Sequence, residues 1–408
     1  MSAAALGVVK RLREGGYDAY IVGGAVRDSL LGGHPKDFDV ATNATPEQTK
    51  ALFRSARIIG RRFQIVHVRQ GREIIEVTTY RGHHDSDQAK PSSSKQSDKG
   101  LLLRDNVYGS LDDDARRRDL TINAMYYDPD SETVLDQQDG LADIRARLIR
   151  IIGDPETRYR EDPVRMLRVV RFSARLQFDM ATETADAITT CAPLLNEIPA
   201  ARLFDEFLKL FMSGHAQSTF LLLCEFDLLR YLAPEAAYAI NQSGRYKALV
   251  SAAMESTDQR VRKDRPVTPA FLLAALLWPA VQPRFEVLKD AGGAPSQAMN
   301  SAGQQVTAET CLHMAVPKRF SLPMREMWEL QPKLERRQTK KVNDLMSMRR
   351  FRAAYDLILL REQTGEALDQ CGAFWTEQQE KNPDIVGTAP PPEDRSDRAR
   401  RPRRRRRQ

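Results

Sequence analysis

Gly23-Gly24-Ala25-Val26-Arg27-Asp28-Ser29-Leu30-Leu31-Gly32, followed by Lys36-Asp37-Phe38-Asp39-Val40-Ala41-Thr42, is the stretch on which the reading of the fold turns. Residues 17–22 read as a strand, Gly23-Gly24 as a turn, residues 25–31 as a short helix stopped by Gly32-Gly33, and residues 38–41 as a second strand. Glycines between a strand and a helix let backbone N–H groups approach a phosphate, and the helix N-terminus adds a favourable field. On a strand, positions i and i+2 share a face, so Asp37 and Asp39 present two carboxylates together while Phe38 turns into the core. Two like charges so close call for a cation, and Mg²⁺ takes one or two carboxylates plus substrate phosphates. By itself the pair is equally readable as solvated acids at a strand start.

Outward from that stretch, Thr45-Pro46-Glu47 is a helix start, with Thr45 as cap and Pro46 in the first position, and the helix runs to Phe53. Residues 64–69 and 73–80 form a hairpin around Gln70-Gly71-Arg72. In its second strand Ile74, Glu76 and Thr78 share a face. Glu76 is there either a third carboxylate for a metal pair or a solvent-facing strand residue. Residues 83–100 contain almost no apolar side chain and predict a mobile loop, with structure resuming near Leu101. Residues 114–127 read as helix and 133–136 as strand. From Asp154 helical periodicity dominates, most clearly over residues 201–212. After about Glu377 the chain is polar, proline-containing and charged, which predicts disorder. His67, His83 and His84 have no partner at ligand spacing and are given no metal role.

The chain has 408 residues and 41% apolar content, enough for two or three packed units. Its four cysteines form no C-x-x-C pair, so neither a zinc site nor a disulfide framework is expected, and a reducing, cytoplasmic setting fits. No run reaches the roughly 18 apolar residues that span a bilayer, and residues 1–13 lack a secretory pattern. The net charge of +7 is unevenly placed: residues 395–408 hold nine arginines and one aspartate, leaving −1 for the rest. Such a tail attracts polyanions in a salt-dependent way, and RNA is the partner expected for it.

Four motifs occur in order: G-G-A-V-R-D-S-L-L-G from Gly23, K-D-F-D-V-A-T-N-A-T-P-E from Lys36, R-R-D-L-T-I-N-A-M from Arg117 and E-D-P-V-R-M-L-R-V-V-R-F from Glu161. Over about residues 15–234 the chain thereby resembles the family that unites bacterial CCA-adding enzymes and bacterial poly(A) polymerases. The resemblance implies an α/β nucleotidyltransferase head of the DNA polymerase beta superfamily with a mixed sheet, an all-helical C-terminal region and, here, a disordered basic tail. The expected bounds are 1–150 for the head, 151–200 for a nucleotide-recognising neck, 201–376 for an RNA-binding body and 377–408 for the tail. The first strand is read from Tyr17, with little of the leader common in these polymerases.

The same resemblance assigns roles. Asp37 and Asp39 bind the catalytic metals, two Mg²⁺ ions, and Asp119 is counted with the catalytic acids. Whether Glu76 or Asp119 supplies the third carboxylate stays open. Gly23, Gly24 and Arg27 meet the triphosphate, Arg117, Arg118 and Asn123 lie near the sugar and phosphates, and Asp162 and Arg165 read the base, with Arg168 nearby. The residues agree with this: Asp162-Pro163 is a helix start, Arg165 and Arg168 share a face, and Glu161 lies one turn before Arg165. G-R-R-F-Q-I-V-H from Gly60, the polar insertion from His83 followed by L-R-D-N at 103–106, and the arginine-rich end are similar to the poly(A) branch. The implied reaction is attack of a single-stranded RNA 3′-hydroxyl on the α-phosphate of ATP, in mRNA processing and decay. A CCA-adding enzyme of tRNA and, from another class, a non-catalytic RNA-binding protein are the alternatives.

Overall fold

The computed structural model describes residues 1–60, 64–82, 94–96, 102–105 and 108–388. They form two compact units, one of residues 1–199 with 222–231, the other of residues 200–221 with the chain from 232 onward. Arg61, Arg62 and Phe63 of the G-R-R-F stretch, most of the polar insertion, Asn106 and the arginine-rich tail lie outside the described residues.

The first unit is built on a seven-stranded mixed sheet. Its strands are β1 (Ala19–Val22), β2 (Asp39–Thr42), β3 (Ala56–Ile59), β4 (Ile65–Gln70) and β5 (Glu73–Thr79). Two further strands, β6 (Ser94–Gln96) and β7 (Leu102–Asp105), pair only with each other, and β8 (Met125–Asp128) and β9 (Thr133–Asp136) complete the sheet. The order is β3-β4-β5-β2-β1-β8-β9, parallel only between β2 and β5.

An N-terminal helix that the sequence reading passed over, α1 (Ala3–Glu14), is capped by Ser2 and buries Ala5, Val8, Val9 and Leu12 on the sheet. Fully burying a side chain such as Leu12 contributes roughly 1.5–3 kcal/mol. Helix α2 (Gly24–Leu30) follows β1 directly. Helix α3 (Pro46–Leu52) opens with the expected cap: Thr45 Oγ1 accepts from Gln48 N at 3.3 Å, and Gln48 Oε1 accepts from Thr45 N at 2.8 Å.

Two expectations need correction here. Residues 94–96, placed in the mobile loop, pair with 102–105 as an antiparallel ribbon, because backbone hydrogen bonding needs no apolar side chains. The helix read over 114–127 is only α4 (Leu111–Arg117). Leu120 bridges to Ile151 and β8 pairs with both β1 and β9, so tertiary pairing overrides helical propensity.

After α5 (Gly140–Ala146), the unit ends in helices α6 (Pro155–Glu161), α7 (Val164–Leu176) and α8 (Thr182–Cys191). Asp162, expected to cap α7, instead closes α6, and Pro163 precedes α7 without a side-chain cap bond.

The second unit is helical throughout its described residues. Helix Ala200–Phe211 buries Leu203, Phe204, Phe207, Leu210 and Phe211, the periodicity read from sequence. Helix Pro269–Asp290 is long and apolar enough to cross a membrane by length and mean hydropathy, although Gln282 and Arg284 break its apolar run short of 18 residues, as the sequence reading has it. Residues 272–281 are buried all round and Trp328 Nε1 donates to the Ala274 carbonyl at 3.0 Å, so it is packed as a core helix. The helix Cys371–Lys381 and a turn at Pro383–Ile385 run past Glu377, where disorder was expected. Trp375 fixes them, its Nε1 donating to the Leu334 carbonyl at 3.0 Å.

Candidate active site

Strand register gathers the acidic residues. Val22 at the end of β1 lies opposite Asp39 at the start of β2, and Asp39 lies beside Glu76 on β5. The alternation read from sequence holds: Phe38 is buried in the sheet core while Asp37 and Asp39 both face a pocket of 560 Å³. Burial, then the charges of Glu76 and Asp37, push the Asp39 carboxyl up to about 6 against the opposing pull of Arg118. Glu76 is half exposed and meets His67, its cross-strand partner, with Nε2 3.2 Å from Oε1. That gives His67 a partner the sequence reading did not supply. Among the described residues no group of three or more His, Cys, Asp or Glu side chains comes together around a metal-sized space.

Gly23 has φ 76°, a left-handed conformation open to glycine. A Cβ added there would lie 3.6 Å from Arg118 Nη1 and 4.0 Å from Asp39 Oδ2. Gly23→Ala is therefore expected to cost about 1–2 kcal/mol of stability, measured by urea unfolding. Through the displaced turn it should also lower turnover by about tenfold or more.

The remaining lining is a linked chain of charged side chains. Arg175 Nη2 bonds Asp28 Oδ2 at 2.8 Å, Asp28 Oδ1 accepts from Arg27, Arg27 donates to Asn123, and Asn123 Nδ2 donates to Asp119 Oδ1 at 3.2 Å. Asp119 Oδ2 then accepts from Arg168 Nε at 2.6 Å. Arg168 and Arg175 are two turns apart on α7, so the chain closes on itself around Phe172, over whose ring Arg27 stands at 4.8 Å. Arg27 is 2% exposed and its charge is met by Asp28, so it frames the wall of the pocket. Arg118 is held by Asp114 Oδ2 at 3.0 Å and by the Tyr126 hydroxyl at 3.0 Å, which in turn donates to Asp114 at 2.6 Å.

Burial alone would raise the Asp119 carboxyl, but Arg168, the Asn123 amide and the Leu120 N–H override it and hold it well below the usual carboxylate range. A depressed folded pKa contributes stability that is complete above the unfolded value of about 4 and is lost as pH falls through the folded value. Arg168→Met is expected to move the acid-unfolding midpoint to higher pH in a circular-dichroism titration. An unchanged midpoint would rule out the pair as a determinant of acid stability.

Four expected residues sit away from the pocket lining, the first being Glu76, which meets His67. Arg117 donates to the Gly82 carbonyl. Arg165 Nη1 bonds Glu161 Oε2 at 2.8 Å and the Arg158 carbonyl at 2.8 Å. Asp162 lies at the α6–α7 junction. Sequence reasoning in turn missed Lys36, Asp28, Arg175 and Phe172, all of which line the pocket. Arg175 was findable, being seven residues from Arg168 and so on its helix face. Lys36 sits beside the acidic pair without an ion pair to any described residue. Arg158 was missed as well: nearly buried, it donates to the carbonyls of Arg117 at 2.6 Å and Arg118 at 2.7 Å and to Glu161 at 2.7 Å.

Residues 19–150 match the poly A polymerase head domain, 177–240 the probable RNA and SrmB-binding site of polymerase A, and 291–408 the polymerase A arginine-rich C-terminus. Poly(A) polymerase I of Salmonella typhimurium is 45% identical over 94% of this chain and 83% of its own length. A CCA-adding enzyme of Geobacillus stearothermophilus is 40% identical, but over 56% of this chain and 54% of its own. The crystal structure of the Bacillus stearothermophilus CCA-adding enzyme in complex with CTP superposes with a TM-score of 0.59 at 27% identity, covering 95% of this chain and 85% of that one. Similarity to the CCA-adding sequence thus covers about half of this chain, whereas similarity to the polymerase covers nearly all of it, and the protein belongs to the bacterial poly(A) polymerase family.

Proposed function

We propose that this protein transfers AMP from ATP to the 3′-hydroxyl of single-stranded RNA, without a template and with release of pyrophosphate, at the pocket holding Asp37 and Asp39. The observation that carries this reading is the meeting, in one pocket, of the acidic pair, the glycine turn and the arginine chain anchored on α7. A pure RNA-binding protein gains nothing from a half-buried carboxylate with two like charges beside it.

The donor set fits a hard divalent cation: Asp37 and Asp39 offer carboxylate oxygens, and the raised Asp39 carboxyl marks negative charge that the protein leaves under-compensated. Asp37 and Asp39 would hold the Mg²⁺ ions, with substrate phosphates completing the shell, and Glu76, engaged with His67, is left out of that set. When bound, the metal supplies Lewis acidity toward the attacking hydroxyl and the triphosphate oxygens. The chain's own residues orient the rest. Gly23 and Gly24 let the backbone at the start of α2 approach phosphate, and Lys36 brings a positive charge to the pocket beside the acidic pair. Asp119, taken up by Arg168 and Asn123, acts as a positioning residue for both. Arg168 and Phe172 on α7 present a charged and an apolar surface to the nucleotide. Arg165 holds α6 to α7 through Glu161, so it acts on base choice through that junction. The arginine-rich residues 395–408 supply a polycation for RNA. Four unpaired cysteines suit a reducing cytoplasm.

The test is incubation with Mg²⁺, one nucleotide at a time, and either a generic single-stranded RNA or tRNA lacking its CCA end. Long tails on generic RNA with ATP alone are expected. Addition that stops after C, C and A on tRNA would overturn the assignment.

A further inference from the structure

Most cations in the wall of the active-site pocket are engaged by the protein itself. Arg27 is held by Asp28 and Asn123, and Arg118 by Asp114 and the Tyr126 hydroxyl. Arg168 is committed to Asp119 at 2.5 Å. Arg175 differs from all three. It lines the same pocket with its side chain 42% exposed, and one bond holds it, from Nη2 to Asp28 Oδ2 at 2.8 Å. Its Nε and Nη1 make no hydrogen bond or ion pair with any described residue.

Asp28 can release it. The other oxygen of that carboxylate accepts from Arg27 Nε at 2.8 Å and Nη2 at 2.7 Å, so Asp28 keeps a buried guanidinium whether or not Arg175 stays. An ion pair this open to water contributes little, whereas a guanidinium on phosphate oxygens makes charge-assisted and often bidentate bonds. The location suits a triphosphate. A Cβ on Gly24 would lie 3.6 Å from Arg27 Nη2, so Asp28, and with it Arg175, stands beside the glycine turn. Arg168, Phe172 and Arg175 share one face of α7, and a rise of 1.5 Å per residue sets the two arginines about 10 Å apart along it. One end of this row meets Asp119 and the other meets Asp28 on α2, so the two arginines can hold different parts of one nucleotide.

We propose that Arg175 binds the outer phosphates of the incoming nucleoside triphosphate, exchanging Asp28 for them, while Arg27 stays in the wall. The inference rests on the reading of this pocket as the site of AMP transfer, and it moves the triphosphate contact expected of Arg27 onto a different residue. A monophosphate ends short of Arg175, so the contact separates ATP from AMP.

The test places Arg175→Ala and Arg175→Lys in the full chain. Binding of ATP, AMP and inorganic tripolyphosphate is measured by calorimetry with Mg²⁺ and without RNA. Arg175→Ala should weaken ATP and tripolyphosphate roughly tenfold and AMP by less than about twofold, and Arg175→Lys should recover part of the loss for the first two. A thermal melt should stay close to that of the unmodified protein, because Arg175 is half exposed and Asp28 retains Arg27. Equal weakening of ATP and AMP would mean that Arg175 acts only through the pocket wall and would overturn the proposal, as would unaltered affinity for tripolyphosphate. A protein that binds ATP with this dependence on Arg175 yet extends no RNA would instead remove the adenylyltransferase reading and leave the phosphate contact standing.

Discussion

Asp39→Asn is expected to slow AMP transfer at least about a thousandfold, equivalent to about 4 kcal/mol of lost transition-state stabilisation. Asp39 is the acid of the pair that the sheet fixes. It lies in register between Val22 on β1 and Glu76 on β5, with the core residue Phe38 before it. An amide keeps the shape and loses the charge, so metal coordination should fail while the fold survives. Stability should be unchanged or slightly higher, since a half-buried charge beside Glu76 and Asp37 has been removed. Single-turnover extension of labelled RNA gives the rate and a thermal melt gives the fold. A variant that melts normally and transfers AMP at an undiminished rate would remove Asp39 from the chemistry.

Arg158→Ala is expected to destabilise the protein by about 3–5 kcal/mol. The guanidinium is nearly buried, and burial together with the neighbouring Arg165 pushes its pKa down to about 10. It stays in place through two backbone carbonyls, those of Arg117 and Arg118, and the Glu161 carboxylate. Removing it takes a donor from both carbonyls and leaves Glu161 with Arg165 alone. For a unit of this size the melting temperature should drop by about 10 °C. Transfer should fall too, because Arg118 and Asp119 stand on the segment Arg158 holds. Arg158→Lys should recover only part, since one ammonium cannot span the partners of a planar fork. A melt within a degree of the unmodified protein would show that the Arg158 bonds contribute nothing net.

What the sequence determined by itself is local. Gly23 between a strand and a helix, the alternation Asp37-Phe38-Asp39, the Thr45 cap and the periodicity of residues 201–212 follow from backbone sterics, side-chain periodicity and capping, each decided within a few residues. The four ordered motifs pointed to the family, and with it to the mixed sheet and helical second half.

Tertiary structure decided everything that depends on which distant segment lies alongside. Residues 125–127, which read as the end of a helix, belong to a strand because β1 and β9 flank them. Glu76 could not be assigned from its strand, since only the pairing of β4 with β5 puts His67 against it. Arg27, Arg117 and Arg165 have the same chemistry in sequence. In the fold the first frames the pocket wall, the second caps the Gly82 carbonyl and the third braces α6 to α7. A guanidinium's role is set by which acceptors surround it and how much water is excluded, and both are properties of packing between segments far apart in the chain.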